Sequence, residues 1–132
     1  MANGYEDFVF LEAKQNSKAL RDTIHDEVPK VWVNANRKNR GIKEANFAVL
    51  RETNMPAIIL ENCFLTNKED VKLLTNESFQ DSLVEAISIG LVKAFDLQKL
   101  DKPVMSTLKV SEWAKEAWER AIVMLFVFQK RL

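Results

Sequence analysis

Glu61 is the carboxylate that ends the stretch around which the rest of the chain is organised. It closes the apolar run Ala57-Ile58-Ile59-Leu60, which is introduced by Pro56. Proline fits the first residue of a strand, and a short, uniformly apolar run fits a strand buried on both faces. A carboxylate at the end of such a strand is costly unless it is paired, solvated in a cleft or facing a metal. A carboxylate serving a site and an ordinary strand-end acid in water are the two competing readings. Asn67 then reads as a helix N-cap, with Asp70 three residues on as the capping-box acid. The unit is strand, acid, turn, helix, and in open α/β sheets sites lie at the carboxyl ends of strands.

Metal chemistry is poorly supplied. His25 is the sole histidine and Cys63 the sole cysteine. A zinc site needs three or four ligands, and these two residues fall in unrelated elements. One position along from Ile24 in an apolar stripe, His25 is expected at a helix edge. No metal ligand is assigned in this chain.

The elements that must position Glu61 follow from periodicity. Tyr5 to Glu12 reads as a strand, apolar on both faces through Phe8, Val9, Phe10 and Leu11. Asn16 or Ser17 is expected to cap a helix running to about Asn34, with Leu20, Ile24, Val28, Val31 and Trp32 on one stripe. Pro29 lies inside it and is expected to kink it, at ~3 kcal/mol for a straight helix. Asn34 to Lys43 reads as a polar, basic connection through Arg37, Lys38, Arg40 and Lys43, with Gly41 for a turn. Asn46 to Arg51 reads as a strand, Glu52 to Met55 as a turn, and Ala57 to Glu61 as the central strand. Lys68 to Leu74 is a short helix with Val71 and Leu74 inward. Asn76 or Glu77 opens a longer one to about Phe95, with Phe79, Leu83, Ile87, Leu91 and Phe95 repeating every four residues and Val84 and Ala94 widening the stripe. Gly90 costs it ~1 kcal/mol against alanine and suits a close packing contact. The fold class is therefore α/β: a partial open sheet of about three strands with helices packed on it, plus a C-terminal helix.

Pro56-Ala57-Ile58-Ile59-Leu60-Glu61-Asn62-Cys63-Phe64-Leu65-Thr66-Asn67 resembles the catalytic-glutamate motif of the zinc-dependent N-acetylmuramoyl-L-alanine amidases of the amidase type 3 family. Asn39-Arg40-Gly41-Ile42-Lys43 and Phe47-Ala48-Val49-Leu50-Arg51 resemble the lead-in to that motif. Gly4-Tyr5-Glu6-Asp7-Phe8 resembles the segment just after the last zinc histidine. The resemblance implies metal-assisted cleavage of the amide between the muramic acid lactyl group and L-alanine, with Glu61 as general base and then as acid to the leaving amine. It implies zinc as the family's cofactor and peptidoglycan as the substrate. The family's zinc ligands, two histidines and a glutamate, are expected to lie before Met1, so this chain is expected to bind no zinc alone. The expected division is 1–96, the C-terminal half of an amidase-like catalytic domain; 97–109, a linker broken by Pro103; and 110–132, a helical extension. Val110-Ser111-Glu112-Trp113-Ala114-Lys115-Glu116-Ala117-Trp118 resembles the opening helix of wall-binding repeat modules, here expected to be truncated. Ile122 to Phe128 is apolar all round and breaks the helical alternation.

Composition narrows the partners. Lys plus Arg and Asp plus Glu both number 19 in 132 residues, for a net charge of zero. That balance argues against a nucleic-acid surface or an electrostatic membrane anchor, and no apolar run reaches membrane-spanning length. The sequence shows no signal-peptide pattern. The family acts at the cell wall or outside the cell, so the expected settings are the wall by another export route, the cytoplasm, or a phage-encoded product. An open strand edge, zero net charge and the apolar tail together predict self-association. The basic stretch is either a solvated loop or a contact for acidic groups of peptidoglycan stem peptides. Three functions stay open: an amidase half inactive alone, a non-catalytic wall-binding or complementing partner fragment, and an inert remnant.

Overall fold

The computed structural model describes residues 1–98, and the linker and tryptophan-bearing helix expected further on lie outside them. Strand β1 (Tyr5–Val9) is the centre of a three-stranded sheet. Strand β2 (Asn39–Glu44) pairs parallel to it on one side, and β3 (Ile59–Glu61) pairs antiparallel on the other. Alternation along β1 separates two faces. Tyr5, Asp7 and Val9 are fully buried. Helices α1 (Gln15–His25) and α2 (Val28–Asn34) pack against β1, and α5 (Glu77–Phe95) packs in turn against α1 and α2. Glu6 and Phe8 point to the opposite face.

The core joins the helices to the sheet. Tyr5, Leu20, Ile24, Val28, Trp32, Cys63, Leu83 and Ala86 form one buried cluster. Trp32 meets Phe79 edge to face at 4.8 Å between ring centroids, a preferred aromatic geometry. The buried stripe of α5 runs through Leu83, Ala86 and Gly90, so Val84 and Phe95, expected inward, are exposed instead. Gly90 is there because α1 crosses at that point. A Cβ built on it would lie 2.7 Å from Ile24 Cγ1 and 2.8 Å from Ile24 Cα.

Several expected elements differ. The helix expected from Asn16 or Ser17 to Asn34 is two helices, because the chain turns between His25 and Val28. Pro29 falls in the first turn of α2, where its missing N–H needs no partner. Lys14, not Asn16 or Ser17, is the N-cap of α1, and Ser17 Oγ accepts from the Ala57 amide instead. Strand β1 stops at Val9, short of Glu12, where the chain bends so that the Ala13 amide donates to the Phe10 carbonyl. The second half of the basic connection, from Asn39, is in fact β2, while Arg37 and Lys38 precede it. Asn46 to Arg51, expected as a strand, holds the single-turn helix α3 (Ala48–Arg51). There the Phe47 carbonyl accepts from both the Leu50 and Arg51 amides, and Arg51 Nη1 donates to Asn46 Oδ1 at 2.6 Å. Only Leu50 of that turn is buried; a four-residue apolar run carries no period long enough to separate helix from strand. Strand β3 is shorter than Ala57–Glu61 and only half-buried, since Pro56 lacks a donor and the Ala57 amide is committed to Ser17.

Helix α4 (Lys68–Leu74) begins as expected at Asn67, whose side chain accepts from the Glu69 and Asp70 amides. Asp70 does not close a capping box. Its carboxylate is fully buried and accepts from the Gly4 amide at 2.8 Å and the Phe64 amide at 3.2 Å. Arg37 Nε lies 3.5 Å away. Gly4 must be glycine: its φ is +95°, and a Cβ would fall 2.0 Å from the Lys38 carbonyl oxygen.

Two substitutions test this framework. Helix propensity alone would make Gly90→Ala stabilising by ~1 kcal/mol, but the backbone of Ile24 blocks the methyl. Denaturant unfolding is expected to show a net loss of about 1–3 kcal/mol; a gain would mean that α1 and α5 do not cross this closely. Asp70→Ala leaves two buried amides without an acceptor and is expected to cost about 2–4 kcal/mol. Hydrogen exchange should then rise at Gly4 and Phe64, and unchanged exchange at both would contradict the tie.

Candidate functional site

The face of the sheet opposite α1 and α2 gathers the charged residues. Glu61 ends β3 and stands directly across from Glu6 in the antiparallel register. Directly opposed residues share a face, with Cβ atoms within about 5.5 Å. Glu6 is 8 % exposed and meets two cations from β2. Arg40 Nε donates to Glu6 Oε2 at 2.8 Å, and Lys43 Nζ donates to the same oxygen.

The register of β2 makes this possible. Tyr5 pairs with Asn39 and Asp7 with Ile42, so three steps on β2 match two on β1. The extra residue is a bulge at Arg40-Gly41. Without it, residues three apart on a strand would point to opposite faces; with it, Arg40 and Lys43 both reach Glu6. Bulges re-aim side chains in this way. Gly41 takes φ +81°, a conformation that favours glycine, and its amide donates to Asn39 Oδ1 at 2.9 Å.

The electrostatics follow from these contacts. Burial, and then the like charge of Glu6, push the Glu61 carboxyl above the ordinary glutamate range. Burial also works to raise Glu6, but the hydrogen bonds and charges of Lys43 and Arg40 outweigh it and hold Glu6 below that range. Two carboxylates side by side thus have separated proton affinities, the pattern that assigns acid–base roles. Phe64, on the turn after β3, lies under the Arg40 guanidinium, whose central carbon is 4.8 Å from the ring centroid.

Of the residues singled out in the sequence, Glu61 is in this cluster and His25 is not. His25 ends α1 on the other face, where Nδ1 meets Asp7 Oδ2 and Nε2 lies 3.2 Å from Asn39 Nδ2. That geometry fits the tautomer with its proton on Nδ1, so both ring nitrogens are engaged. Cys63 is buried in the core cluster. Met1, ahead of which the family's zinc ligands are expected, is itself exposed and is not a member of the charged cluster. Its thioether is no zinc ligand either, since zinc takes thiolate, imidazole and carboxylate donors. Among the described residues no three histidine, cysteine, aspartate or glutamate side chains come together to hold a metal ion. Glu6 carries no sequence signal of its own, and Arg40 and Lys43 read as loop residues. The signal for them is Gly41 within a charged stretch, which is how a bulge reads in a sequence.

A family model described as N-acetylmuramoyl-L-alanine amidase matches residues 1–93. The N-acetylmuramoyl-L-alanine amidase CwlM of Bacillus licheniformis is 38% identical over 96 residues, covering 73% of this chain and 37% of the relative. The endolysin of Bacillus phage SPP1 is 36% identical over 85 residues, covering 64% of this chain and 30% of the phage protein. Among solved structures, an N-acetylmuramoyl-L-alanine amidase from Clostridium difficile 630 superposes with a TM-score of 0.65 at 36% identity, over 75% of this chain and 52% of that one. The chain spans less than half the length of these two sequence relatives. The family model over residues 1–93 and the sequence identity to these relatives agree: the chain belongs to the amidase type 3 family of N-acetylmuramoyl-L-alanine amidases.

Proposed function

We propose that this chain works in peptidoglycan hydrolysis at the amide between the muramic acid lactyl group and L-alanine, with Glu61 as the proton-transfer residue. The observation that carries this reading is the strand-end position of Glu61 opposite Glu6. Its raised proton affinity suits a base that takes a proton from the attacking water and returns it to the leaving amine. Burial raises that affinity most, and Glu6, held below the ordinary glutamate range by Lys43 and Arg40, adds to it.

The family's zinc does not fit the described residues of this chain. The sole histidine is engaged by Asp7 and Asn39 on the far face of the sheet, and the described residues bring no ligand set together. In this reading the chain supplies the carboxylate side of the reaction, and a partner segment supplies the metal-binding residues. The sheet leaves room for them: β2 and β3 are its edges among the described residues, and each presents an unpaired side. That observation also favours a second reading, a non-catalytic fragment that complements a separate half or binds the wall. In either reading the place of action is the cell wall, or the host wall for a phage product.

Dye release from labelled peptidoglycan separates the two. The full chain alone, with or without zinc, is expected to stay at background. Mixed with the metal-binding N-terminal segment of an amidase relative and zinc, it is expected to cleave, and Glu61→Gln should lower that rate by about 10²–10⁴-fold. Cleavage undiminished in the Gln variant would remove Glu61 from the chemistry. Cleavage by the chain alone would show that it assembles a metal site of its own.

A further inference from the structure

Arg40 has more hydrogen-bonding capacity than its neighbours use. Its Nε–H is taken by Glu6, and its plane is supported by Phe64. Neither Nη group donates to any partner among the described residues. The side chain is 32% exposed, on the sheet face that carries Glu6 and Glu61. Bracing Glu6 does not require them, because Lys43 already donates to the same oxygen and itself lies 5.6 Å from the Phe8 ring centroid. A guanidinium fixed at one edge and on one face, with its other edge open, is preorganised for two parallel bonds to a carboxylate.

We propose that Arg40, aimed by the Arg40-Gly41 bulge and held by Glu6 and Phe64, binds a free carboxylate of the peptide on the leaving-amine side of the scissile bond. The inference rests on the amidase reading above and adds a specificity-determining residue to it. The charges allow it. Arg40 and Lys43 both pair with the single carboxylate of Glu6, so the two cations exceed the one carboxylate they touch. A peptide whose carboxylate is amidated offers a neutral group to the same fork and forfeits the charge-assisted pair.

The test uses the full chain and two soluble muropeptides that differ only by one carboxylate and its carboxamide, followed by ¹H–¹⁵N shift titration. The wild-type chain is expected to prefer the acid peptide by about tenfold, the span of one good charge-assisted contact. Arg40→Gln should bring the two affinities together. The wild-type chain also gives a readout that needs no variant: the Arg40 side-chain ¹⁵N resonances should move with the acid peptide and stay in place with the amide. Binding of both peptides with equal affinity, or still Arg40 resonances, overturns the assignment of Arg40 while leaving the amidase reading intact. Failure to bind either peptide overturns both.

Discussion

Two glutamates directly opposite each other on neighbouring strands repel, and this sheet is arranged around that repulsion. Arg40 and Lys43 neutralise Glu6 by direct contact. Glu61 has no such partner among the described residues, and burial and then the charge of Glu6 make it hold its proton more tightly. Linkage fixes the sign of the consequence: with the folded value raised, Glu61 favours folding at acid pH, and that contribution is lost as pH rises through the folded value. A modest stability cost near neutrality is thus built into the site. It is the kind of local conflict expected where a fold serves chemistry.

The rest of the described fold keeps that pair in register. Strand β1 is held on its far face by Asp7, which engages His25, which in turn reaches Asn39 at the start of β2. One chain of polar contacts thereby links β1, α1 and β2. At its other margin, the buried Asp70 ties the Gly4 amide before β1 to the Phe64 amide after β3. A shift of β3 by one residue would break that tie and turn Glu61 to the opposite face. Positioning of the site therefore depends on residues that never touch it.

Legibility in the sequence follows the length of each signal. Helices α4 and α5 are readable because Asn67 and Asn76 cap them with their side chains, and because α5 repeats its apolar residues over nineteen positions. Glu61 is readable because an apolar run ends on it. Strand β2 is not, since Asn39-Arg40-Gly41-Ile42-Lys43-Glu44 lacks apolar alternation: one side bonds Glu6 and much of the rest is exposed. Helix α3 is four residues long, below the reach of any period. Asp70 departs from its capping-box reading because that spacing is local, whereas its partner Gly4 is 66 residues away. The near end of a sequence pattern is visible in each case, and the long-range partner is not.

The central claim is that Glu61 has a proton affinity set by burial and by Glu6 across the strand pair. The most direct measurement is a pH titration of the Glu61 side-chain carboxyl carbon by NMR, in the wild-type chain and in Glu6→Gln. The account predicts a wild-type midpoint above the ordinary glutamate range. It also predicts a fall in Glu6→Gln that stops short of the ordinary value, because burial is the larger cause. A wild-type midpoint in the ordinary range, unmoved by Glu6→Gln, would contradict it.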